Sequence, residues 1–375
     1  LVCTADLFNL WIWFETMVVS SYLMVAFYRE QPAPLEAAVK YLVQSALGSV
    51  FVLLGNAQVL AETGCVNMET VRTALEPSET LLVAGALFVA GFGIKSALVP
   101  FHTWLPDAYS QSPSGVSAIL AGVVTSAGLV TLLRALSVLG EVSEAWGAIL
   151  MGFGILNVVI GNLLAFQQQQ IKRLLAYSSL PHIGFMLIGL GVSVETGIPD
   201  GAEGSLLHLF NHGLMKGAAF LAIGGIVYGL RRRARERGAL TISQMAGLVH
   251  RYPVVVTVFS IAVLGLAGIP PLAGFVSLFR IFGAGMGTAV TAIHLVVILA
   301  AINELLALGY YLPVVNAVIL GTPSETVMEG KPLSLSITAP LVLLGAAILG
   351  IGIYPEALEW LVEPAGQVIT SAFGG

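Results

Sequence analysis

Long apolar runs recur along the whole chain, and they constrain its fold more than any other feature. A helix needs about 20 residues to cross a hydrocarbon layer of about 30 Å, and ten runs have about that length or more. They lie near residues 7–28, 41–62, 81–99, 114–136, 146–166, 174–193, 205–230, 252–283, 289–312 and 335–354. Backbone polar groups must be satisfied internally in lipid, so such runs predict helices. The predicted fold class is therefore an all-α integral membrane protein with about ten transmembrane helices.

The composition excludes the main soluble classes. Charged residues make up 10% of the chain and hydrophobic residues 57%, and the mean hydropathy is +0.91. Soluble domains carry about 25% charged residues, so this chain cannot cover a water-facing surface. The net charge of −5, with scattered basic residues, gives no basic patch for a nucleic-acid partner.

Few residues are of the kinds that hold cofactors. Cys3 and Cys65 are too few for a disulfide framework or a zinc cluster. The sequence has no glycine-rich phosphate loop. We therefore expect no cofactor, no metal and no catalytic residue in this chain. The chain opens on Leu1 beside an apolar run, and we expect it to lack its natural N-terminus.

Prolines interrupt two of the runs. The run over 252–283 has Gly268, Ile269, Pro270 and Pro271 in its middle, and the run over 81–99 is followed by Pro100. Proline removes a backbone donor and breaks a helix. Broken helices at membrane depth occur where protein or water covers the freed backbone groups. We predict helix breaks near Pro100 and near Pro270.

The basic residues test the count of spans. If the spans alternate, three basic residues face one side of the membrane and eleven face the other. The poor side has Arg72, Arg134 and Arg280, and the rich side has Arg29, Lys40, Lys172, Arg173, Arg231, Arg232, Arg233, Arg235, Arg237, Arg251 and Lys331. The positive-inside rule places the rich side in the cytoplasm. We interpret the arginine-rich segment 231–237 as a cytoplasmic determinant of topology, with a lipid or partner site as the alternative.

Ionisable residues within the spans are the candidates for function. A Lys or Asp at a helix centre costs about 2.5–3.5 kcal/mol on insertion scales, and such residues mark ion and proton pathways. The candidates are Glu15, Lys95, His208, His212, Lys216 and Glu304.

Glu15 and Lys95 have complementary charges. A Glu–Lys pair at 4 Å is worth roughly 4 kcal/mol at an effective dielectric of 20. This is enough to hold the lysine proton while the pair is closed and to release it when the pair opens. The alternatives are a static ion pair, or a Lys95 side chain that extends to the membrane surface.

His208, His212 and Lys216 are spaced four residues apart and share one helix face, bordered by Asn211. The stripe is about 12 Å long at a rise of 1.5 Å per residue. Imidazole titrates near neutral pH and passes protons through its two nitrogens. The alternative roles for these side chains are packing between helices and metal binding.

The other candidates stand alone in the sequence. Glu304 lies midway along its span, as a relay group or as a neutral, hydrogen-bonded carboxyl. We interpret His182 and His294 as peripheral. His102 lies beside the predicted break near Pro100, and we interpret it as a hydrogen-bonding hinge residue.

Several segments resemble one family. The motif KSALVPFHTWLPDA at 95–108 resembles the signature of antiporter-like subunits, which occur in respiratory complex I, Mrp-type sodium/proton antiporters and membrane-bound hydrogenases. Further segments that resemble the family occur in the family's order at 13–15, 20–22, 172–179, 208–216 and 268–275.

This resemblance implies a fold of about fourteen helices, built from two inverted repeats of five with flanking helices. The ten runs resemble helices five to fourteen of that fold. Residues 1–375 then form a single, N-terminally incomplete antiporter-like domain, with the first repeat in 1–166 and the second repeat plus the C-terminal helices in 167–375. The partners implied are other membrane subunits, including further antiporter-like subunits, and lipid.

The resemblance also carries over individual residues. Glu15 matches the family's glutamate on helix five, Lys95 matches its lysine on helix seven, and His208, His212 and Lys216 match the polar series on helix eleven.

The chain departs from the family at two places. Many members carry Lys or His in the segment 120–126, where this chain offers only Thr125 and Ser126 as a hydroxyl or water relay, and Asn211 is a further relay candidate. Many members carry Lys or Glu where this chain has Leu278. Either Glu304 or Arg280 replaces the missing exit group, or the subunit transmits a conformational change without pumping.

The function expected is proton translocation along a Lys/His/Glu axis, coupled to redox chemistry or cation flux in partner subunits. The chain is not catalytic alone, and it is the membrane subunit of an oxidoreductase or of a cation antiporter. Two alternatives stay open. One is sodium/proton exchange in an Mrp-type assembly, and the other is a structural subunit with a decayed relay.

Overall fold

The computed structural model describes residues 3–230 and 240–374. Helices fill most of this part of the chain, and it contains no strand longer than an isolated bridge. The α-helices are α1 (Leu7–Val25), α2 (Pro32–Thr63), α3 (Met68–Thr73), α4 (Glu79–Lys95), α5 (Trp104–Gln111), α6 (Ser114–Ile119), α7 (Thr125–Val138), α8 (Trp146–Phe166), α9 (Ile171–Tyr177), α10 (Ser179–Thr196), α11 (Asp200–Gly229), α12 (Pro253–Leu266), α13 (Ala273–Met286), α14 (Thr291–Leu320), α15 (Glu325–Met328), α16 (Leu335–Ile353) and α17 (Glu359–Ser371). The predicted all-α membrane fold is confirmed.

Many of these helices are long enough to cross a membrane. In the described residues, eight helices are long and apolar enough to cross a membrane, or nine if the bent pair 243–250 and 253–266 is one span. The remaining predicted runs contain shorter helices, namely α4 with 17 residues and α12 and α13 with 14 residues each. Each of the ten predicted runs is therefore helical, and the short helices are those beside the two predicted breaks.

The first predicted break lies between α4 and α5. The chain leaves the helix after Lys95, and Ala97 has a φ of +57°. Side chains satisfy the freed backbone groups: Asn157 Oδ1 accepts from the Val99 amide at 2.7 Å, and the Trp104 indole donates to the Ile94 carbonyl at 2.7 Å. Protein rather than lipid covers the broken backbone, as membrane depth requires.

The second predicted break lies between α12 and α13. Gly268 has a φ of +63°, in the left-handed region that glycine adopts without strain. The chain then returns so closely that a β-carbon on Gly274 would lie 1.9 Å from the Gly265 carbonyl oxygen. Both breaks are where the prolines predict them.

Contacts at the two ends of the bundle agree with alternating spans. At one end of the bundle Asp107 pairs with Lys40 at 3.0 Å and with Arg173 at 2.9 Å. At the other end the Leu7 amide donates to the Val66 carbonyl at 2.9 Å. Basic residues of the predicted rich side thus meet at one end. The segment 231–237, predicted to be cytoplasmic, lies outside the described residues.

Helix α11 occupies the middle of the bundle. It packs against α6, α10, α12, α13, α16 and α17. It is enclosed on several sides, so its polar stripe faces neighbouring helices instead of lipid. Helix α10 is similarly enclosed, since 94% of the window tested in the span from Ile171 to Thr196 is buried.

Candidate functional site

Glu15 on α1 and Lys95 on α4 form an ion pair. The Lys95 ammonium contacts Glu15 Oε1 and lies 4.5 Å from the centre of the Phe14 ring. Lys95 is 2% exposed and the Glu15 side chain 23%. The predicted pairing is confirmed, and burial rules out a Lys95 side chain that extends to the membrane surface. Lys95 is the last residue of α4, so the charge lies at the helix break.

Three histidines form a buried cluster. His208 Nε2 shares a hydrogen bond of 3.1 Å with His182 Nδ1, and His208 Nδ1 shares one of 2.8 Å with Ser277 Oγ on α13. The His182 ring centre lies 5.2 Å from that of His212. These imidazoles are at most 1% exposed. The cluster therefore joins α10, α11 and α13 at the core of the bundle.

The interpretation of His182 as peripheral is wrong. Its position on α10 bears no spacing relation to the stripe on α11, so periodicity could not connect the two helices. One signal was present: the run over 174–193 is apolar nearly all round, which is typical of a helix enclosed by protein. The other histidine interpreted as peripheral, His294, is bound to the Thr288 carbonyl at 2.8 Å, away from the cluster.

Several polar atoms around the cluster have no protein partner. Within residues 3–230 and 240–374, neither ring nitrogen of His212 has a hydrogen-bond partner, and Asn211 Oδ1 has none either. The Asn211 amide instead donates to the Ala273 carbonyl at 2.8 Å and to Ser277 Oγ at 3.3 Å. Buried polar groups of this kind are usually satisfied by ordered water.

Lys216 completes the stripe one turn further along α11. Its ammonium is fully buried and donates to the Leu175 carbonyl at 2.8 Å and to Ser178 Oγ at 2.7 Å. Among the described residues it makes no salt bridge with a carboxylate. The buried Tyr311 hydroxyl of α14 lies near Ser178 and has no hydrogen-bond partner within the described residues. Polar groups thus continue from Lys216 towards α14.

Glu304 lies against the second break. It is 8% exposed, and a β-carbon on Gly268 would lie 2.9 Å from Glu304 Oε1 and 3.4 Å from the Leu278 side chain. Arg280 instead pairs with Glu359 on α17 at 2.7 Å, and both side chains are about a third exposed. Of the two candidates for the missing exit group, only Glu304 is thus buried beside the break and beside Leu278.

Thr125 and Ser126 follow a π-helical turn at Leu120–Val124. Thr125 Oγ1 donates to the Leu120 carbonyl at 3.1 Å and accepts from the Tyr109 hydroxyl at 3.3 Å. The turn contacts α11, and α7 contacts α4. Turns of this kind occur frequently at functional sites. The uncharged segment therefore lies between the helix of Lys95 and the helix of the histidines.

The remaining interpretations are partly resolved. His102 lies in the turn between α4 and α5, as a hinge residue should, but its Nδ1 has no hydrogen-bond partner within the described residues. For metal binding, the described part of the chain has no group of three or more His, Cys, Asp or Glu side chains placed to hold an ion. The structure thus brings together two buried clusters, Glu15 with Lys95 and the histidines with Asn211 and Ser277, and places Lys216 and Glu304 beyond the second.

Subunits of known respiratory enzymes are similar to this chain in sequence. Subunit N of the NADH-quinone oxidoreductase of Desulfitobacterium hafniense is 31% identical over 380 residues, which cover 96% of this chain and 74% of that protein. Subunit N 2 of the Solibacter usitatus enzyme is 35% identical over 366 residues, covering 96% and 71%.

Solved structures of three kinds of complex also contain similar chains. A chain of Thermus thermophilus respiratory complex I matches with a TM-score of 0.80 at 28% identity, covering 96% of this chain and 76% of that one. A chain of an archaeal membrane-bound sulfane sulfur reductase matches with 0.86 at 27% identity, covering 99% and 73%. A chain of the Mrp complex of Dietzia sp. DQ12-45-1b has the same fold, with a TM-score of 0.85 at 24% identity, covering 99% and 74%.

A family profile covers most of the chain. The profile of the transmembrane family described as NADH:quinone oxidoreductase/Mrp antiporter matches residues 4–303. Because this match spans well over half of the sequence and agrees with the relatives and the fold, the chain belongs to that family of antiporter-like membrane subunits.

Proposed function

We propose that this chain carries protons across the membrane as one antiporter-like subunit of a larger complex, along a mid-membrane axis through Lys95, the histidine cluster, Lys216 and Glu304. One observation carries the proposal. Titratable side chains that are costly to insert into lipid line the inside of the bundle, and three of them, the histidines, meet around His208, which is hydrogen-bonded at both ring nitrogens.

His208 has the geometry of a proton carrier. Its two ring nitrogens contact different partners, His182 on one side and Ser277 on the other. An imidazole bound at both nitrogens accepts a proton at one and releases it from the other. Within the described residues the two ring nitrogens of His212 have no partner, and they would pass the proton on towards Lys216 through water.

The Glu15–Lys95 pair serves as the switch in this proposal. When the pair is closed, Glu15 stabilises the ammonium. When the helix break moves and the pair opens, the buried ammonium loses that stabilisation and releases its proton. Thr125, Ser126 and Asn211 carry no charge and would not take up the proton themselves. They would instead hold the water that connects this switch with the histidines of α11.

Glu304 serves as the exit group in place of the family's residue at Leu278. It lies at the second break, where irregular backbone is tolerated only beside protein or a water-filled cavity. Arg280 is held at the surface by Glu359 and is the weaker candidate.

The driving reaction would lie in partner subunits. The relatives are subunits of NADH-quinone oxidoreductases, and the similar structures are multisubunit membrane complexes, so redox chemistry or cation flux elsewhere would supply the energy. This chain would hold no cofactor and catalyse nothing alone. Sodium exchange is less well supported, since sodium needs clustered oxygen ligands and the two candidate carboxylates, Glu15 and Glu304, do not contact each other in the described structure.

The domain organisation and sidedness complete the proposal. Residues 1–166 and 167–375 would form two repeats, each with one broken helix, α4–α5 in the first and α12–α13 in the second. The end of the bundle that carries Lys40, Lys172 and Arg173 would face the cytoplasm, together with the segment 231–237.

The test is Lys216→Ala in the assembled complex, with proton uptake into inverted vesicles measured under the native driving reaction. Removing a positioned proton-transfer group typically costs 10²–10⁴-fold, so we expect uptake through this subunit to fall at least about tenfold. Lys40→Ala is the control, because Lys40 is an exposed lysine in surface ion pairs. Unchanged uptake with intact assembly would mean that the stripe only packs α11, and the chain would then be a structural subunit.

A further inference from the structure

A polar cavity opens at the lysine-rich end of the bundle. It has a volume of about 540 Å³ and lies among the connection from α1 to α2, the end of α11, the turn between α5 and α6, and the start of α9. Lys172 and Lys331 line it, and none of its described lining residues is acidic. The Lys172 ammonium donates to the Ser112 carbonyl on the cavity wall, and Lys331 is exposed. Within the described residues neither lysine has a carboxylate partner.

An apolar groove begins where this cavity ends. The groove has a volume of about 790 Å³ and lies between α11 and the stretch formed by α6 and the π-helical turn. Pro113 and Gly115 line both spaces, so the polar cavity and the groove adjoin at these residues. Apolar side chains such as Ile119 and Phe210 line the groove and are 45% and 40% exposed.

The groove has the length of one membrane leaflet. Its lining on α11 extends from Leu209 to Leu221, or about 18 Å at 1.5 Å per residue. Half of a hydrocarbon core is about 15 Å thick. The groove therefore begins at the lysines, at the level of the headgroups, and ends near the middle of the bilayer.

We propose that the cavity and the groove together bind one phospholipid with an anionic headgroup, from the leaflet on the lysine-rich side. The phosphate would lie in the cavity near Lys172 and Lys331, and one acyl chain would lie in the groove against α11. Two features that differ in chemistry meet in the order that such a lipid requires: the exposed ammonium of Lys331 at the surface, then an apolar channel as long as an acyl chain. Basic pockets between transmembrane helices are known to hold anionic headgroups.

Gly115 offers a way to close the site without disturbing the fold. It lies at the junction, and a β-carbon built on it meets no atom within 4 Å. A leucine there therefore fits and projects into the space that the lipid would occupy. Gly152 on α8 is the matched control, because it is equally open, is exposed in a helix and lines neither space.

The experiment counts lipids that stay bound to the purified full complex, by native mass spectrometry after exchange into detergent with phosphatidylglycerol or phosphatidylcholine of the same acyl chains. Wild type and Gly152→Leu should retain phosphatidylglycerol equally. Gly115→Leu should retain at least about tenfold less, because excluding as few as two methylene groups from an apolar site has that effect. Lys331→Gln should lower the preference for phosphatidylglycerol over phosphatidylcholine about fivefold, as expected for one lysine near anionic lipid.

Equal retention by Gly115→Leu and Gly152→Leu would overturn the site. If Lys331→Gln weakened both lipids alike, the anionic headgroup would be wrong and the groove would hold an acyl chain without charge selection. Lipid retention does not depend on pumping, so these outcomes stand apart from the test of proton transfer.

Discussion

At the scale of single residues, the ion pair of Glu15 and Lys95 has the clearest energetic role. Lys95 is buried and Glu15 is the carboxylate that contacts it. Removing one partner of a buried pair leaves an uncompensated charge, which is far more costly than losing an exposed pair. Mutating Glu15 therefore tests whether the pair takes part in proton transfer or is a static ion pair.

We predict that Glu15→Gln lowers proton uptake at least about tenfold while the complex still assembles. The attraction between the two charges of the intact pair is roughly 4 kcal/mol. Losing a third of this energy changes the proton occupancy of Lys95 about tenfold. Proton uptake into vesicles is the measurement, with electron transfer or cation flux followed in parallel. Glu36→Gln is the matched control, because Glu36 also pairs with a lysine, but at an exposed position. Normal uptake in Glu15→Gln would identify the pair as static.

His182 is the residue whose importance the structure adds. We predict that His182→Gln, which keeps a hydrogen-bonding side chain without an ionisable ring, reduces proton uptake at least about tenfold, since a general acid–base group typically contributes 10²–10⁴-fold. His294→Gln should have no effect, because His294 bonds to the backbone near a helix end. Equal uptake in both variants would show that His182 only supports the packing of α10.

Sequence reasoning identified charged residues better than it identified their neighbours. Lys95 and the stripe on α11 stood out because ionisable residues inside apolar runs are costly. The contact between His182 and His208 was invisible, because it joins residues 26 positions apart on different helices. Ser277 was missed for the same reason, as hydroxyl groups are ordinary in membrane helices.

At the scale of helices, the breaks were predictable and the π-helical turn was not. The consecutive prolines at 270–271 and the single Pro100 mark their breaks in the sequence, although α14 and α16 each contain one proline and continue through it. The turn at Leu120–Val124 contains Leu, Ala, Gly and Val, which are all common in membrane helices, and nothing in their order marks a π-helical turn. Its position depends on packing between neighbouring helices, as at Gly122 and Gly213, where a β-carbon on Gly122 would lie 3.2 Å from the Gly213 carbonyl.

The close return at the second break gives a prediction about stability. We expect Gly274→Ala to destabilise the protein by about 1–3 kcal/mol, the usual cost of overpacking, because the new methyl group would collide with the Gly265 carbonyl oxygen. The thermal inactivation midpoint of the purified complex should fall. Gly283→Ala on the same helix is the control, since no atom lies within 4 Å of its β-carbon and alanine favours the helix by about 1 kcal/mol. Equal midpoints for the two variants would contradict the tight contact.

At the scale of the whole molecule, the count of spans and the distribution of charge constrain each other. Alternation of ten spans places Lys40, Asp107 and Arg173 at one end, and these three residues are found in contact. The arrangement of helices across the bundle was not derivable from hydropathy, which gives the order of spans and not their neighbours. The central place of α11 became visible only in the structure.

Sidedness gives the last prediction, because the lysine-rich end of the bundle should face the cytoplasm. The test introduces Lys331→Cys at one end and Glu76→Cys at the other, both exposed, in a background that lacks Cys3 and Cys65. A membrane-impermeant maleimide added to intact cells should label Glu76→Cys and leave Lys331→Cys unlabelled, and permeabilised cells should label both. The reverse pattern would mean that the lysine-rich end faces the outside of the cell. Protons would then enter the histidine axis from the opposite face, and the proposed lipid would belong to the outer leaflet.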